Sequence, residues 1–205
     1  MQRIPLIYAT LEGTRLHAGP VTFSGERAST DDHVPVTTIP ALKTRAERGK
    51  VLVWDVVGMN RGVFNAPFME FCKVSGNDVW LIEPIYDEMD VLDGFVGNAD
   101  RLVFPCDRIR NDSVLEDILE VSDSCVPLVV CRNGMHDGHD PAGIVSKVAD
   151  VGFHNVMVAD MDGSLDDAAW KRMHDECGGL LVYSPVRELG FEPSLQAVDV
   201  FGFTR

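Results

Sequence analysis

The sequence lacks any apolar run near the ~18 residues that a membrane-spanning helix needs, and no charged-then-apolar signal segment opens it. Basic residues are scarce: 18 Lys and Arg accompany 32 Asp and Glu, which gives a formal charge of −14. No block of Lys and Arg offers the cationic footprint that binds a phosphate backbone. These absences predict a cytoplasmic protein that has neither a membrane nor a nucleic acid as partner.

The sequence also lacks the C-x-x-C spacing, and its five cysteines are an odd number. Three of them lie in or beside apolar runs. Cysteines in such positions are usually reduced and buried, so free thiols are expected. The motifs G-x-S-x-G, G-x-x-x-x-G-K-[ST] and G-x-G-x-x-G are absent, which argues against the usual α/β-hydrolases, NTPases and dinucleotide-binding enzymes. We expect no cofactor.

Two segments could suggest a metal. MHDGHD (135–140) has two histidines and two aspartates, but a loop containing Gly138 does not fix ligand geometry, and Asp140 is needed as a helix cap. DMDGS (160–164) resembles the start of a calcium loop, but Lys171 stands at the twelfth position, where a ligand is required. We expect no metal.

What the chain does contain is a series of short, β-branched apolar runs. Each is hydrophobic at nearly every position, as a parallel strand covered on both faces must be. The runs are IPLIYA (4–9), VLVWDVV (51–57), VWLIEP (79–84), RLVFPC (101–106), VPLVVC (126–131), NVMVAD (155–160), LLVYSP (180–185) and VDVFGF (198–203). They predict eight parallel strands.

Helix signals lie between most of these runs. Helices are predicted over 41–49, within 111–123, over 140–152 and over 164–178. Their expected starts are the capping-box pair Ser113 and Glu116, Asp140 before Pro141, and Ser164. In the long segment 10–50, the residues before 41 are interpreted as a loop rich in Gly, Ser, Thr and Asp.

Eight strands that alternate with helices predict a parallel α/β fold. A (β/α)8 barrel of the TIM type fits, and 205 residues is near its lower size limit. A doubly wound open sheet is the alternative, but it usually has fewer strands. Because no linker is evident, we expect residues 1–205 to form a single barrel domain, of the ribulose-phosphate-binding kind, with reduced last helices.

Functional residues of such barrels lie at the carboxyl ends of the strands. Asp55 and Asp160 occur inside or at the end of hydrophobic runs, where a carboxylate is costly to bury unless it is paired. Such groups often act as acids or bases, although each could instead cap its own loop. The polar residues at these ends are Tyr8, Asp55, Glu83, Asp107, Arg108, Cys131, Arg132, Asp160, Asp162 and Ser184.

The loop DVVGMNRGVFN (55–65) combines two glycines with several polar side chains. Gly58 and Gly62 permit close backbone approach or a positive φ. Asn65 could contact a ligand or be the N-cap of a helix that follows it, and the sequence leaves both open.

Three segments carry a family resemblance. The first, IPLIYATLEGTRLHAG (4–19), is similar to a family's opening strand, Gly turn and second short strand. The second, VLVWDVVGMNRGVFN (51–65), is similar to its second strand with an aspartate, a glycine and a downstream asparagine. The third, NVMVADMDGSLDD (155–167), is similar to its sixth strand and D-G-(T/S) loop. Together they resemble the phosphoribosylformimino-aminoimidazole carboxamide ribotide isomerase family of histidine biosynthesis, in particular its divergent archaeal-type relatives.

The resemblance implies a (β/α)8 barrel that isomerises an aminoaldose phosphate to an aminoketose phosphate. It further implies two aspartates as general base and acid, and phosphates bound at Gly-rich strand ends. This sequence departs from that pattern. Tyr8 and Cys131 stand where the two aspartates are expected, and the segments after the third and seventh strands read LIEPIYDE and VYSPVREL instead of glycine loops.

We therefore expect an enzyme, isomerase- or lyase-like, that acts on a different small phosphorylated metabolite. Asp55 and Asp160 are the expected acid–base groups, and Cys131 beside Arg132 is expected to have a lowered pKa. Expected substrate contacts are Tyr8, Asn65, Arg132, Ser184 and Arg187, the last of which would hold an anionic group.

The alternative is a non-catalytic barrel that binds a metabolite or a protein. It is favoured by the absence of both catalytic aspartates and both glycine loops. No helix is predicted after the last strand, and the apolar barrel surface left there is consistent with a homo-oligomer.

Overall fold

The computed structural model describes residues 2–13, 15–24, 27–30, 34–36, 50–68, 78–109, 111–184, 193 and 195–199. The strands in these residues are β1 (Gln2–Glu12), β2 (Arg15–Ala18), β3 (Val21–Ser24), β4 (Arg27–Thr30), β5 (Val34–Val36), β6 (Lys50–Asp55), β7 (Asp78–Ile82), β8 (Arg101–Pro105), β9 (Cys125–Cys131), β10 (Asn155–Asp160), β11 (Gly179–Tyr183) and β12 (Leu195–Asp199). The α-helices are α1 (Val56–Arg61), α2 (Glu88–Val96), α3 (Asp112–Val121), α4 (Pro141–Val151) and α5 (Asp167–Glu176).

The sheet has the strand order β12-β11-β10-β9-β8-β7-β6-β1-β2-β5, and β12 also pairs with β1. This pairing closes eight strands into a parallel barrel with alternating helices, which is the predicted (β/α)8 fold. The predicted runs coincide with these strands because continuous hydrophobicity suits burial on both faces. The last strand begins earlier than predicted, at Leu195.

Contacts group the chain into two compact units. One contains Met1–Ile4, Tyr86–Glu88 and Val103–Val198; the other contains Pro5–Ile85, Met89–Leu102 and Asp199–Arg205. In the first unit, β10 is paired in parallel with β9 and β11. In the second, β6 is paired in parallel with β1 and β7. That the whole chain is one domain stays a prediction.

The segment between β1 and residue 41 differs from the predicted loop, because its described residues contain the four strands β2 to β5. β2 pairs with β1 and β5, and β3 and β4 form a separate hairpin. The expected short strand after the Gly turn is thus confirmed as β2. The helix predicted over 41–49 lies outside the described residues, as does Cys72. The other four cysteines are free and buried, as expected.

Helix α4 has its predicted start and end: the Asp140 carboxylate accepts a hydrogen bond from the Ala142 N–H, and Gly152 ends the helix with φ 118°. Two other predicted starts were wrong. Helix α3 is capped by the Asn111 side chain, and α5 by that of Asp166, whose carboxylate lies 2.7 Å from the Ala169 nitrogen. Ser164 does not cap α5, because its hydroxyl accepts a hydrogen bond from the Gly134 N–H and its own N–H donates to the Asp162 carboxylate.

Candidate functional site

Two carboxyl groups meet at the ends of neighbouring strands in the second unit. Asp55 ends β6 and Glu83 directly follows β7. The register that pairs Trp54 with Ile82 places them side by side one residue later. Both residues are 0% exposed, and a buried carboxylate must be paired, hydrogen-bonded or protonated. The pair is therefore chemically unusual.

Gly58 in α1 lies directly against this pair. A methyl group built on its Cα would be 2.5 Å from Asp55 Oδ2 and 2.7 Å from Glu83 Oε2. The two oxygens thus occupy the same small space beside the helix. Any side chain at this position would collide with them, which gives this glycine of the 55–65 loop a packing role.

The Asp55 carboxylate is held by hydrogen bonds on both oxygens. Oδ1 accepts from the Val57 N–H at 2.9 Å, so Asp55 is the N-cap of α1. Oδ2 accepts from the Asn65 side-chain amide at 2.7 Å. The sequence leaves Asn65 open between a ligand contact and a helix cap. Asn65 does directly precede helical residues 66–68, where its carbonyl oxygen accepts from the Phe68 N–H at 2.9 Å, and its side chain is a partner of Asp55. The interpretation of 55–65 as a loop missed the short helix that Asp55 begins.

Glu83 has a different environment. Neither of its carboxyl oxygens makes a well-formed hydrogen bond with the described residues, but Asp55 and the Asn65 backbone are close enough to influence its pKa. Burial raises the Glu83 pKa well above its ordinary value, and the adjacent Asp55 charge adds to this effect. Burial raises the Asp55 pKa as well, but its hydrogen bonds oppose the rise. The pKa of Glu83 is therefore raised more than that of Asp55, so a single proton on the pair favours Glu83.

A second cluster lies in the first unit, where Cys131 of β9 and Asp160 of β10 are partners in register. Asp160 accepts hydrogen bonds from the N–H groups of Ser164 and Leu165, at 3.1 and 3.3 Å. These contacts cap the loop after β10, which agrees with the alternative that this carboxylate caps its own loop. Burial raises the pKa of Asp160 to about 6.

Cys131 does not have the environment expected for a nucleophile. Its side chain is fully buried. Burial raises the pKa of its thiol, and the neighbouring Asp160 carboxylate raises it further. The expectation that Arg132 would lower this pKa was therefore wrong, because desolvation and negative charge both disfavour a thiolate.

The segment MHDGHD folds as tight turns. Backbone hydrogen bonds join Arg132 to Met135 and His136 to His139. The His136 side chain is buried and its Nδ1 lies 2.8 Å from the Val130 carbonyl oxygen, so the ring is held against the backbone of β9. In the described part of the chain, no group of three or more His, Cys, Asp and Glu side chains is placed to hold a metal ion.

The loop after β10 braces the first of these turns. The Asp162 carboxylate accepts a hydrogen bond from the Asn133 N–H at 2.7 Å, and the Ser164 hydroxyl accepts one from the Gly134 N–H at 2.6 Å. The Ser164 hydroxyl in turn donates to Asp162. The Asp162 carboxylate and the Ser164 hydroxyl thus stabilise the conformation of the loop after β10 and of the turn that it contacts.

The other predicted contact residues are divided between the two units. Tyr8 is the register partner of Trp54, and their rings are 5.6 Å apart. Ser184 is half-buried directly after β11, and its hydroxyl has no hydrogen-bond partner among the described residues. Arg132 is half-buried in the turn, and Arg187 lies outside the described residues. The structure brings Asn65 to Asp55 and Cys131 to Asp160.

Glu83 is the residue that sequence reasoning did not select. It was noted among the strand-end polar residues, and its signal was an acid directly after the apolar run VWLI. Its importance comes from its neighbour: only the register of β6 and β7 puts Asp55 beside it.

Comparison of the sequence with protein-family models and with curated proteins finds no match. Within the described residues, no helix combines the length and apolar character required to cross a membrane.

Proposed function

We propose that this chain is an enzyme that transfers protons on a small phosphorylated metabolite, with Glu83 as the general acid and Asp55 as the general base. The observation that carries the proposal is the buried carboxyl pair at adjacent strand ends, in which hydrogen bonds oppose the rise of the Asp55 pKa while burial and the Asp55 charge raise that of Glu83. Two carboxyl groups in different environments can divide acid and base roles at one pH.

An aldose–ketose type of isomerisation fits such a pair. Asp55 would remove the proton from the carbon beside a carbonyl group, while Glu83 donates its proton to the carbonyl oxygen, which gives an enediol. Return of the proton from Asp55 to the neighbouring carbon, with loss of the other hydroxyl proton to Glu83, gives the product. Protons balance over the cycle.

The phosphate part of the proposal is supported by the family resemblance. Because Asp55 and Glu83 are both fully buried, a substrate can reach them only when the covering residues move aside. Exclusion of water from the pair would strengthen its electrostatic effect on the substrate.

The experiment is solvent exchange in D2O. Aldose and ketose phosphates are incubated with the protein, and NMR detects deuterium at the carbon next to the carbonyl. We expect exchange with at least one phosphate and a loss of about 100-fold or more in Glu83→Gln and Asp55→Asn. Asp160→Asn is the matched carboxamide variant of the other cluster and should keep the exchange. Loss in Asp160→Asn alone would assign the chemistry to that cluster instead.

A second candidate function is a barrel that binds a metabolite or a protein without catalysis. It is favoured by the complete burial of Asp55, Cys131 and Asp160 and by the local hydrogen bonds of the two aspartates. A panel of sugar phosphates that neither exchanges deuterium nor raises the melting temperature would support it. A stable homo-oligomer in sedimentation would support it further.

A further inference from the structure

Helix α2 is apolar on its inner face. Val91 is fully buried and Gly94 is buried beside β8. A methyl group built on Gly94 would lie 2.5 Å from Leu102 Cδ1, so this strand packs directly against the helix backbone. Burial of this inner face therefore explains why α2 packs against β8.

The outer face of the same helix is apolar too. Met89, Leu92 and Val96 are 59%, 44% and 78% exposed. Their spacing of three and four residues places them on one side of the helix; we call this set the α2 stripe. A surface helix normally has a polar outer face, and clustered exposed apolar side chains commonly mark interaction sites.

The charges beside the α2 stripe limit its occupant. Glu88 and Asp93 are exposed carboxylates on the two flanks of the stripe, and the helix contains neither Lys nor Arg. A second copy packed helix to helix would bring these carboxylates against their own equivalents, and the whole chain is also strongly acidic. Like charges across an interface are unfavourable, whereas a basic partner is complementary.

We propose that the α2 stripe binds a basic amphipathic helix of another protein, with apolar side chains at helical spacing and flanking Lys or Arg. The apolar residues of that helix cover Met89, Leu92 and Val96, and its cations face the acidic residues beside them. Recognition of an amphipathic helix by three or four apolar anchors is a recurrent binding mode. The proposal is independent of catalysis at Asp55 and Glu83.

The test uses two synthetic helical peptides with the same leucine positions, one with flanking lysines and one with flanking glutamates. Fluorescence anisotropy measures their binding to the whole protein. We expect the lysine peptide alone to bind, with an affinity that falls as NaCl is added. Met89→Ser with Val96→Ser should weaken it about tenfold or more. Asp93→Asn should reduce the salt dependence.

Met135→Ser is the matched control, because Met135 is an exposed apolar residue (45%) in the other unit. It should bind the lysine peptide as the unaltered protein does. Both stripe positions are exposed, so the variants should keep their melting temperatures. Equal binding of both peptides, or unchanged binding in the stripe variant, would overturn the proposal. A dimer that dissociates in the stripe variant would also overturn it, in favour of a second copy.

Discussion

Gly58 sets how closely α1 approaches the two buried carboxyl groups. Glycine within a helix costs about 1 kcal/mol relative to alanine, so its presence in α1 needs a reason. The reason is the space that Asp55 Oδ2 and Glu83 Oε2 occupy beside its Cα. The absence of a side chain at Gly58 therefore allows α1, which Asp55 caps, to pack closely against Glu83 at the end of β7.

We expect Gly58→Ala to destabilise the protein by roughly 1–3 kcal/mol, because overpacking outweighs the gain in helix propensity. Gly143→Ala is the matched control: Gly143 is also helical, in α4, and a methyl group there meets no atom within 4 Å. That variant should be neutral or more stable by about 0.4–1 kcal/mol. Urea unfolding measures both. Equal effects would refute the packing role of Gly58.

Glu83 also predicts a pH dependence of stability. Its folded pKa is raised above the ordinary 4.5, so the folded state binds this proton more tightly than the unfolded state does. The resulting stability is complete below about pH 4.5 and is lost as pH rises through the folded pKa. Glu83→Gln should lessen this decline, measured by urea unfolding across pH. Glu116→Gln, an exposed residue of α3, should leave the decline unchanged.

Some of the site could be predicted residue by residue. An aspartate at the end of an apolar strand is costly unless something compensates, and Asp55 was identified for that reason. The partner of that aspartate could not be identified, because it depends on strand register. The pKa of Cys131 was predicted in the wrong direction, since the adjacent Arg132 is visible in sequence but burial beside Asp160 is not.

At the scale of elements, the parallel strands were the easiest to predict, since burial on both faces leaves a continuous apolar run. The short helix α1 was missed because six residues with two polar side chains carry no clear periodicity. The hairpin of β3 and β4 was missed for a similar reason: four-residue strands with exposed polar positions resemble a loop. Their positions depend on tertiary contacts.

One such contact joins the hairpin to α1. The Asn60 side chain accepts a hydrogen bond from the Ala28 N–H at 3.0 Å and donates one to the Ala28 carbonyl oxygen at 2.6 Å. One side chain thus satisfies both backbone groups of a hairpin residue. The hairpin is also held by Phe23, whose ring packs edge-on against Tyr8 at 5.8 Å.

We expect Asn60→Ala to free the hairpin, because both hydrogen bonds are lost. Stability should fall by about 1–2 kcal/mol, and amide hydrogen exchange should accelerate at Ala28 more than in β6. Asn60→Asp keeps an acceptor for the Ala28 N–H but loses the donor, so its effect should be intermediate. If exchange at Ala28 is unaltered in Asn60→Ala, the amide does not hold the hairpin.

At the scale of the whole molecule, the barrel was predictable from eight runs and their spacing. Acidity is the other global property, with a formal charge of −14. Ion pairs such as Lys171 with Asp175 and Lys147 with Asp112 lie at exposed positions, where each contributes little. Net repulsion should therefore reduce the stability of the compact state.

We expect NaCl to raise the melting temperature, with most of the rise complete by a few tenths molar, because screening at about 0.1 M already limits charge interactions to ~10 Å. Scanning calorimetry measures the effect, and KCl at equal concentration is the control for ion identity. A melting temperature that falls with added salt would mean that attractive pairs outweigh the repulsion.

The turn at Asn133 and Gly134 also bears on how the protein ages. An Asn-Gly sequence deamidates when the glycine nitrogen attacks the asparagine side chain to form a succinimide. Here both residues have positive φ, and the Gly134 N–H is committed to the Ser164 hydroxyl. The attacking nitrogen is therefore restrained, and the folded chain should lose this amide far more slowly than the unfolded chain. The resistance of Asn133 to deamidation therefore depends on the loop after β10, which supplies Ser164.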